Sequence, residues 1–161
     1  MYLNRALIST CMKIIVTTLL SILSYSAITQ TEHETITKGD NIIIIKTSTT
    51  SDSAFIACSK YLVGKGYVFQ SRDQSLGQII TDQKSYAGAF NYKLNFVCSD
   101  NQIRVRALVQ LMTLGQQLVW TDWYYAKAKG NMMNDAYSRF HPDILEMKSR
   151  FHDSKIAYTK E

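Results

Sequence analysis

Proline, cysteine and glycine are scarce: one, three and seven residues in a chain of 161. So little proline and glycine excludes collagen-like and linker-like composition. Three cysteines are too few for a small domain stapled by disulfides. Missing as well are the residue patterns of common chemistries. There is no Gly-x-Ser-x-Gly, no His-Glu-x-x-His and no carboxylate pair on one strand, and Gly64-Lys65-Gly66 lacks the remainder of a phosphate-binding loop. The expectation is a protein that is not an enzyme and carries no cofactor and no metal.

What is present is a globular composition, 46% hydrophobic and 19% charged, with a length that suits one domain. Residues 1–27 differ from the rest. They hold no acid, carry Arg5 and Lys13, continue with an apolar run over 14–23 and end in Ser24, Ser26 and Ala27. A charged start, a short apolar core and small residues at the exit are the parts of a secretory signal. The run is shorter than the roughly twenty apolar residues a permanent span needs. The expectation is therefore a secreted or periplasmic protein with no transmembrane span after cleavage behind Ser26 or Ala27. Met12, directly before Lys13, offers an alternative start. Beyond residue 27, 16 lysines and arginines face 13 acids, a net charge of +3. So small an excess, with export, argues against a nucleic-acid partner.

Residues 28–40 are polar and read as a tether, with a single α+β domain over 41–152 and a polar tail from 153 to 161. Ile42 to Ile45 are four successive β-branched residues, the mark of an inner strand. A helix is expected over 53–65, capped by Asp52 or Ser53 and ended by Gly64 and Gly66. Residues 70–75 read as a polar turn and 77–82 as a strand.

The strongest pattern follows. Tyr92, Leu94, Phe96 and Cys98 alternate with polar residues, as do Ile103, Val105, Ala107 and Val109 beyond Asp100-Asn101. A two-residue turn there pairs Cys98 with Ile103, Phe96 with Val105, Leu94 with Ala107 and Tyr92 with Val109. All eight then share one face, and Lys93, Arg104 and Arg106 share the other; a slip of one residue would destroy that agreement. Residues 118–125 fit either an edge strand or a loop over the core. Met133, Tyr137, Phe140, Ile144, Met147 and Phe151 form a helical apolar stripe that runs through Pro142, where a kink or restart is expected. The expected architecture is an α+β antiparallel sheet of four to five strands, β-α-β-β-β-(β)-α, with two helices packed on one face.

The β-branched strand followed by a helix, then Gly66-Tyr67, then Gly77-Gln78-Ile79, a hairpin and a final helix resembles the small exported bacterial envelope domains of helix-grip or TATA-box-binding-protein-like architecture. The BamC-like domains are among them. The resemblance spans about residues 40–152 and implies that fold and an envelope location, without an implied activity. It transfers no binding residue, because no functional motif is matched.

Candidate residues are therefore few. Trp120, Trp123, Tyr124 and Tyr125 fall within six positions and fit either a ligand- or partner-binding surface or the filling of a sheet edge. Lys93, Arg104 and Arg106 fit an acidic partner, anionic head groups or an ordinary solvated face, without aromatics interleaved in the sequence. Cys58 and Cys98 point into one core, either as a disulfide or as two separate thiols. His33, His141 and His152 read as surface groups. The leading functional expectation is an interaction or assembly module for an unknown envelope protein. The alternative is a carrier of a small apolar ligand between the sheet and the kinked C-terminal helix, with a cavity beside Trp120, Tyr124 and Phe140.

Overall fold

The computed structural model describes residues 31–86, 90–111, 122–129 and 131–161. The expected signal at 1–27 lies outside these residues. In chain order the elements are β1 (Ile42–Lys46), α1 (Ser51–Gly64), β2 (Phe69–Asp73), β3 (Gln78–Thr81), β4 (Lys84–Tyr86), β5 (Phe90–Ser99), β6 (Gln102–Leu111), β7 (Tyr124–Tyr125), α2 (Asn131–Lys148) and β8 (Lys155–Thr159). The strands form one antiparallel sheet in the order β2-β3-β5-β6-β1-β8, with β4 added to β5 and β7 to β6. Among the described residues the fold is thus α+β with two helices, and its eight strands exceed the four to five expected.

The β5–β6 hairpin has the register that alternation predicts: Cys98 opposite Ile103, Phe96 opposite Val105, Leu94 opposite Ala107 and Tyr92 opposite Val109. Asn101 supplies the left-handed turn residue at φ 65°. All eight apolar residues enter one core with Phe55, Cys58 and Leu62 of α1 and Tyr137, Phe140 and Ile144 of α2. Both helices therefore cover the same side of the sheet.

β1 lies between β6 and β8, and its isoleucine side chains are buried on both faces of the sheet. Ile43 and Ile45 join the main core, whereas Ile42 and Ile44 join Ala157 in a small cluster on the opposite face. β8 corrects the expected polar tail. Residues 155–159, set among Asp153, Ser154, Lys160 and Glu161, complete the second edge of β1 with Ala157, Tyr158 and Thr159 buried. The expected tether is corrected in part as well. His33 exchanges backbone hydrogen bonds with Tyr158 (3.1 and 2.8 Å), and Asp40 is fully buried.

α1 begins two residues earlier than expected, because Thr50 rather than Asp52 or Ser53 is the cap and accepts from the Ser53 amide. Its end is as read from the glycines. The Tyr67 amide donates to the Leu62 carbonyl (2.9 Å) and the Gly66 amide to that of Val63 (2.9 Å), with Gly66 at φ 71°. This paired closure needs a left-handed residue at its centre. The 70–75 turn is corrected: strand β2 occupies Phe69–Asp73, carried by pairing with β3 despite four exposed side chains. α2 runs unbroken through Pro142, so the expected restart does not occur.

Gly77 joins β2 to β3 at φ 60°. Its carbonyl accepts from the Cys98 amide at 2.8 Å. A Cβ on Gly77 would lie 2.1 Å from the Cys98 carbonyl oxygen, so a side chain there and the β3–β5 contact exclude each other.

Candidate functional site

Side chains alternate across a strand, so one register fixes two surfaces. Opposite the helices, Gln78, Val97, Arg104, Ile44 and Ala157 form a continuous rung across β3, β5, β6, β1 and β8. Arg106 lies opposite Asn95, and Lys93 opposite Leu108. Asn95, Val97, Arg104 and Arg106 line a shallow depression of about 200 Å³.

β7 brings Tyr125, with Trp123 just before it, to this same face. Tyr125 pairs with Leu108 and Tyr124 with Val109, which places a two-residue edge strand beside β6. The Lys93 ammonium stands 4.5 Å from the centre of the Trp123 ring, and the Arg106 guanidinium 5.5 Å from that of Tyr125. Each such pair is worth about 0.5–1 kcal/mol when exposed. Arg106 also forms an ion pair with Glu161. Lys93 reaches the Gln70 side-chain oxygen at 3.5 Å. Two of the cations and two of the aromatics, separate in sequence, therefore meet on one surface, Lys93 on Trp123 and Arg106 on Tyr125, whereas Tyr124 shares the opposite face with Val109. That corrects the reading that aromatics and charges are not interleaved, because interleaving arises only when β7 docks on β6. Tyr124 and Tyr125 are exposed and Trp123 is half-buried. Trp120 lies outside the described residues, as does the rest of 112–121.

Cys58 of α1 and Cys98 of β5 are both buried, free thiols. The adjacent Cys98 thiol and burial push Cys58 well above the ordinary thiol range, whereas the neighbouring Cys58 holds Cys98 down. Of the two arrangements open from the sequence, a disulfide or separate thiols, the structure has two unbonded thiols, near enough to shift each other's titration.

A polar cluster not expected from the sequence lies where the N-terminal segment meets β8 and α2. The buried Asp40 carboxylate accepts from the Thr37 amide (2.6 Å) and pairs with His33 Nε2 (2.8 Å). His141 Nε2 lies 2.9 Å from the Tyr158 hydroxyl, and its ring stacks on Tyr137. Burial lowers His141 below its ordinary range. Burial, with Tyr158 and Asp40 nearby, raises Tyr137, whose buried hydroxyl has no hydrogen-bond partner. His33 and His141 are thus half-buried and bonded, not free surface groups; only His152 is fully in solvent. The one hint in the sequence was an acid, Asp40, two positions before a run of isoleucines. Among the described residues no group of three or more His, Cys, Asp or Glu is arranged to hold a metal ion, and no helix is long and apolar enough to cross a membrane.

No protein-family model matches the chain, and no curated protein matches it.

Proposed function

We propose that this is an exported, non-enzymatic envelope protein that binds an acidic protein partner through the sheet face opposite the helices. The observation that carries the reading is the pairing of Lys93 with Trp123 and of Arg106 with Tyr125, on the face that also holds Arg104. Aromatic and arginine side chains dominate binding energy at protein interfaces. Stacking holds the long cationic chains extended in the unbound protein, which lowers the ordering cost of docking. A net charge of only +3 beyond residue 27 favours a protein over a polyanion such as nucleic acid.

The carrier reading has less support. Phe140, beside which its cavity was expected, is buried and packs against Tyr92 (6.3 Å between ring centres) and Tyr137 (5.0 Å). Cleavage of residues 1–27, a secreted or periplasmic location and membership of the helix-grip envelope domains belong to the same proposal. They rest on the charge and apolar pattern of the signal and on element order.

The test is photo-crosslinking in an exporting host, with the reactive group at Val97, and at Leu145 on α2 as control. A discrete adduct from Val97 alone, abolished by Lys93→Glu with Arg104→Glu, is the expected outcome. Equal labelling from both positions, or an adduct indifferent to the charge reversal, refutes the assignment.

A further inference from the structure

On the helix side of the sheet, the outward flank of α1 combines positive charge with exposed aliphatic side chains. Lys60, Lys65 and Arg150 line an open cavity of about 380 Å³ floored by Ala57, Tyr61 and Gly64. The Tyr61 ring is flanked by the Lys65 ammonium at 5.8 Å and the Arg150 guanidinium at 6.0 Å. Glu146 neutralises Lys65 at 2.6 Å, whereas Lys60 and Arg150 have no carboxylate partner among the described residues. A second cavity of about 310 Å³ shares Lys60 and adds Ile56, Ser59, Val63 and Arg72. Ser59 is only 4% exposed, and its hydroxyl lacks a partner. Ile56 is 44% exposed, Val63 58% and Val68, where the chain enters β2, 67%.

Local folding accounts for part of this. A lysine just past α1 complements the helix dipole, which explains Lys65. It does not explain Arg150, which comes from the turn after α2, nor Lys60, more than a turn earlier. Like charges sharing one cavity repel, so the arrangement is complete only with an anion. Asp52 and Asp73 sit at the far end of α1, where Gln74 joins the β2–β3 turn to Asp52, and the acids near Tyr61 are Asp143 and the Glu146 already paired with Lys65. The cationic end is thus polarised as well as aliphatic.

We propose that this flank docks on a bilayer containing anionic phospholipid. The cavity between Lys60 and Arg150 receives a phosphate head group, and Ile56, Val63 and Val68 enter the interfacial layer. Charge complementarity selects a phosphate-rich surface, and the exposed aliphatic residues select a bilayer over a soluble phosphate, which has nothing apolar to offer them. The proposal is independent of the partner on the opposite sheet face. Because the two surfaces lie on opposite sides of the sheet, a membrane-bound molecule would keep that face free.

The test is flotation of the exported protein with vesicles of phosphatidylcholine alone and of phosphatidylcholine with phosphatidylglycerol. Binding is expected only to the anionic vesicles. Lys60→Gln and Arg150→Gln are each expected to weaken it about fivefold, and together about 25-fold, since each charge at the surface contributes comparably. Val63→Ser is expected to weaken it without lowering the melting temperature, and Lys93→Gln to leave it unchanged. Absence of binding to anionic vesicles, or binding insensitive to the Lys60→Gln and Arg150→Gln pair, overturns the proposal. So does saturation by inorganic phosphate in a protein that ignores vesicles, which would make the cavity a site for a soluble anion.

Discussion

Adding one methyl group at Gly77 tests how the sheet and α1 are joined. Gly77 is at φ 60°, and a left-handed conformation costs an ordinary residue about 1–2 kcal/mol. The added Cβ would meet the Cys98 carbonyl oxygen at 2.1 Å and the Ser51 hydroxyl at 3.1 Å. Backbone is not free to rotate away, so β3 and β5 must part by about an ångström to restore ordinary contact. That movement strains two hydrogen bonds, Cys98 amide to Gly77 carbonyl (2.8 Å) and Ser51 hydroxyl to Cys98 carbonyl (2.8 Å). Each is worth about 1 kcal/mol. Gly77→Ala should therefore destabilise by about 3–4 kcal/mol, a large share of the roughly 5–15 kcal/mol of a typical domain. With a urea slope of about 2 kcal/mol per M, the unfolding midpoint should fall by about 1.5–2 M. Gly64→Ala is the control. Gly64 ends α1, a Cβ there meets nothing within 4 Å, and the change should be neutral or stabilising by up to about 1 kcal/mol. A Gly77→Ala midpoint within about 0.3 M of the parent, or a fall of equal size in Gly64→Ala, would refute the reasoning.

Other outcomes follow from the core and the polar cluster. Under oxidising conditions, such as those after the export proposed above, Cys58 and Cys98, free in this structure, would on oxidation close a loop of about forty residues and stabilise by about 4 kcal/mol in the chain-entropy account. Mass spectrometry after alkylation should find both thiols blocked, and reductant should lower the melting temperature; full alkylation without reductant would contradict this. Asp40→Asn weakens a charge-assisted set of bonds to Thr37 and His33, at a cost of about 1.5–3 kcal/mol. Faster trypsin cleavage at Lys38 should accompany it, and unchanged cleavage would show that the segment is held otherwise. His141 is held neutral by burial, so the unfolded chain binds its proton first. The stability it supports is complete above its ordinary value of about 6.5 and is lost as pH falls below that. His141→Gln should flatten this acid limb in urea melts recorded against pH, and an unaltered limb would assign it to other groups.

Local pattern alone determined the β5–β6 hairpin, its register and which face is apolar, because a period of two leaves only one arrangement that buries Tyr92, Leu94, Phe96 and Cys98 together. The end of α1 at Gly66 and the stripe of α2 were legible for the same reason: they depend on residues within a few positions of one another. What only the tertiary structure decided was pairing at long range. β8 and β2 carry too few apolar residues to announce themselves, and they become strands because β1 and β3 present unpaired backbone edges. Four isoleucines in a row were a sign that both faces of β1 are buried, but not that β8 would pair with its second edge. The same holds for the candidate surface. Lys93 and Trp123, thirty positions apart, meet only because β7 docks on β6. Distances of this kind depend on where a strand closes the sheet, a choice made by the whole core and not by the residues that end up facing one another.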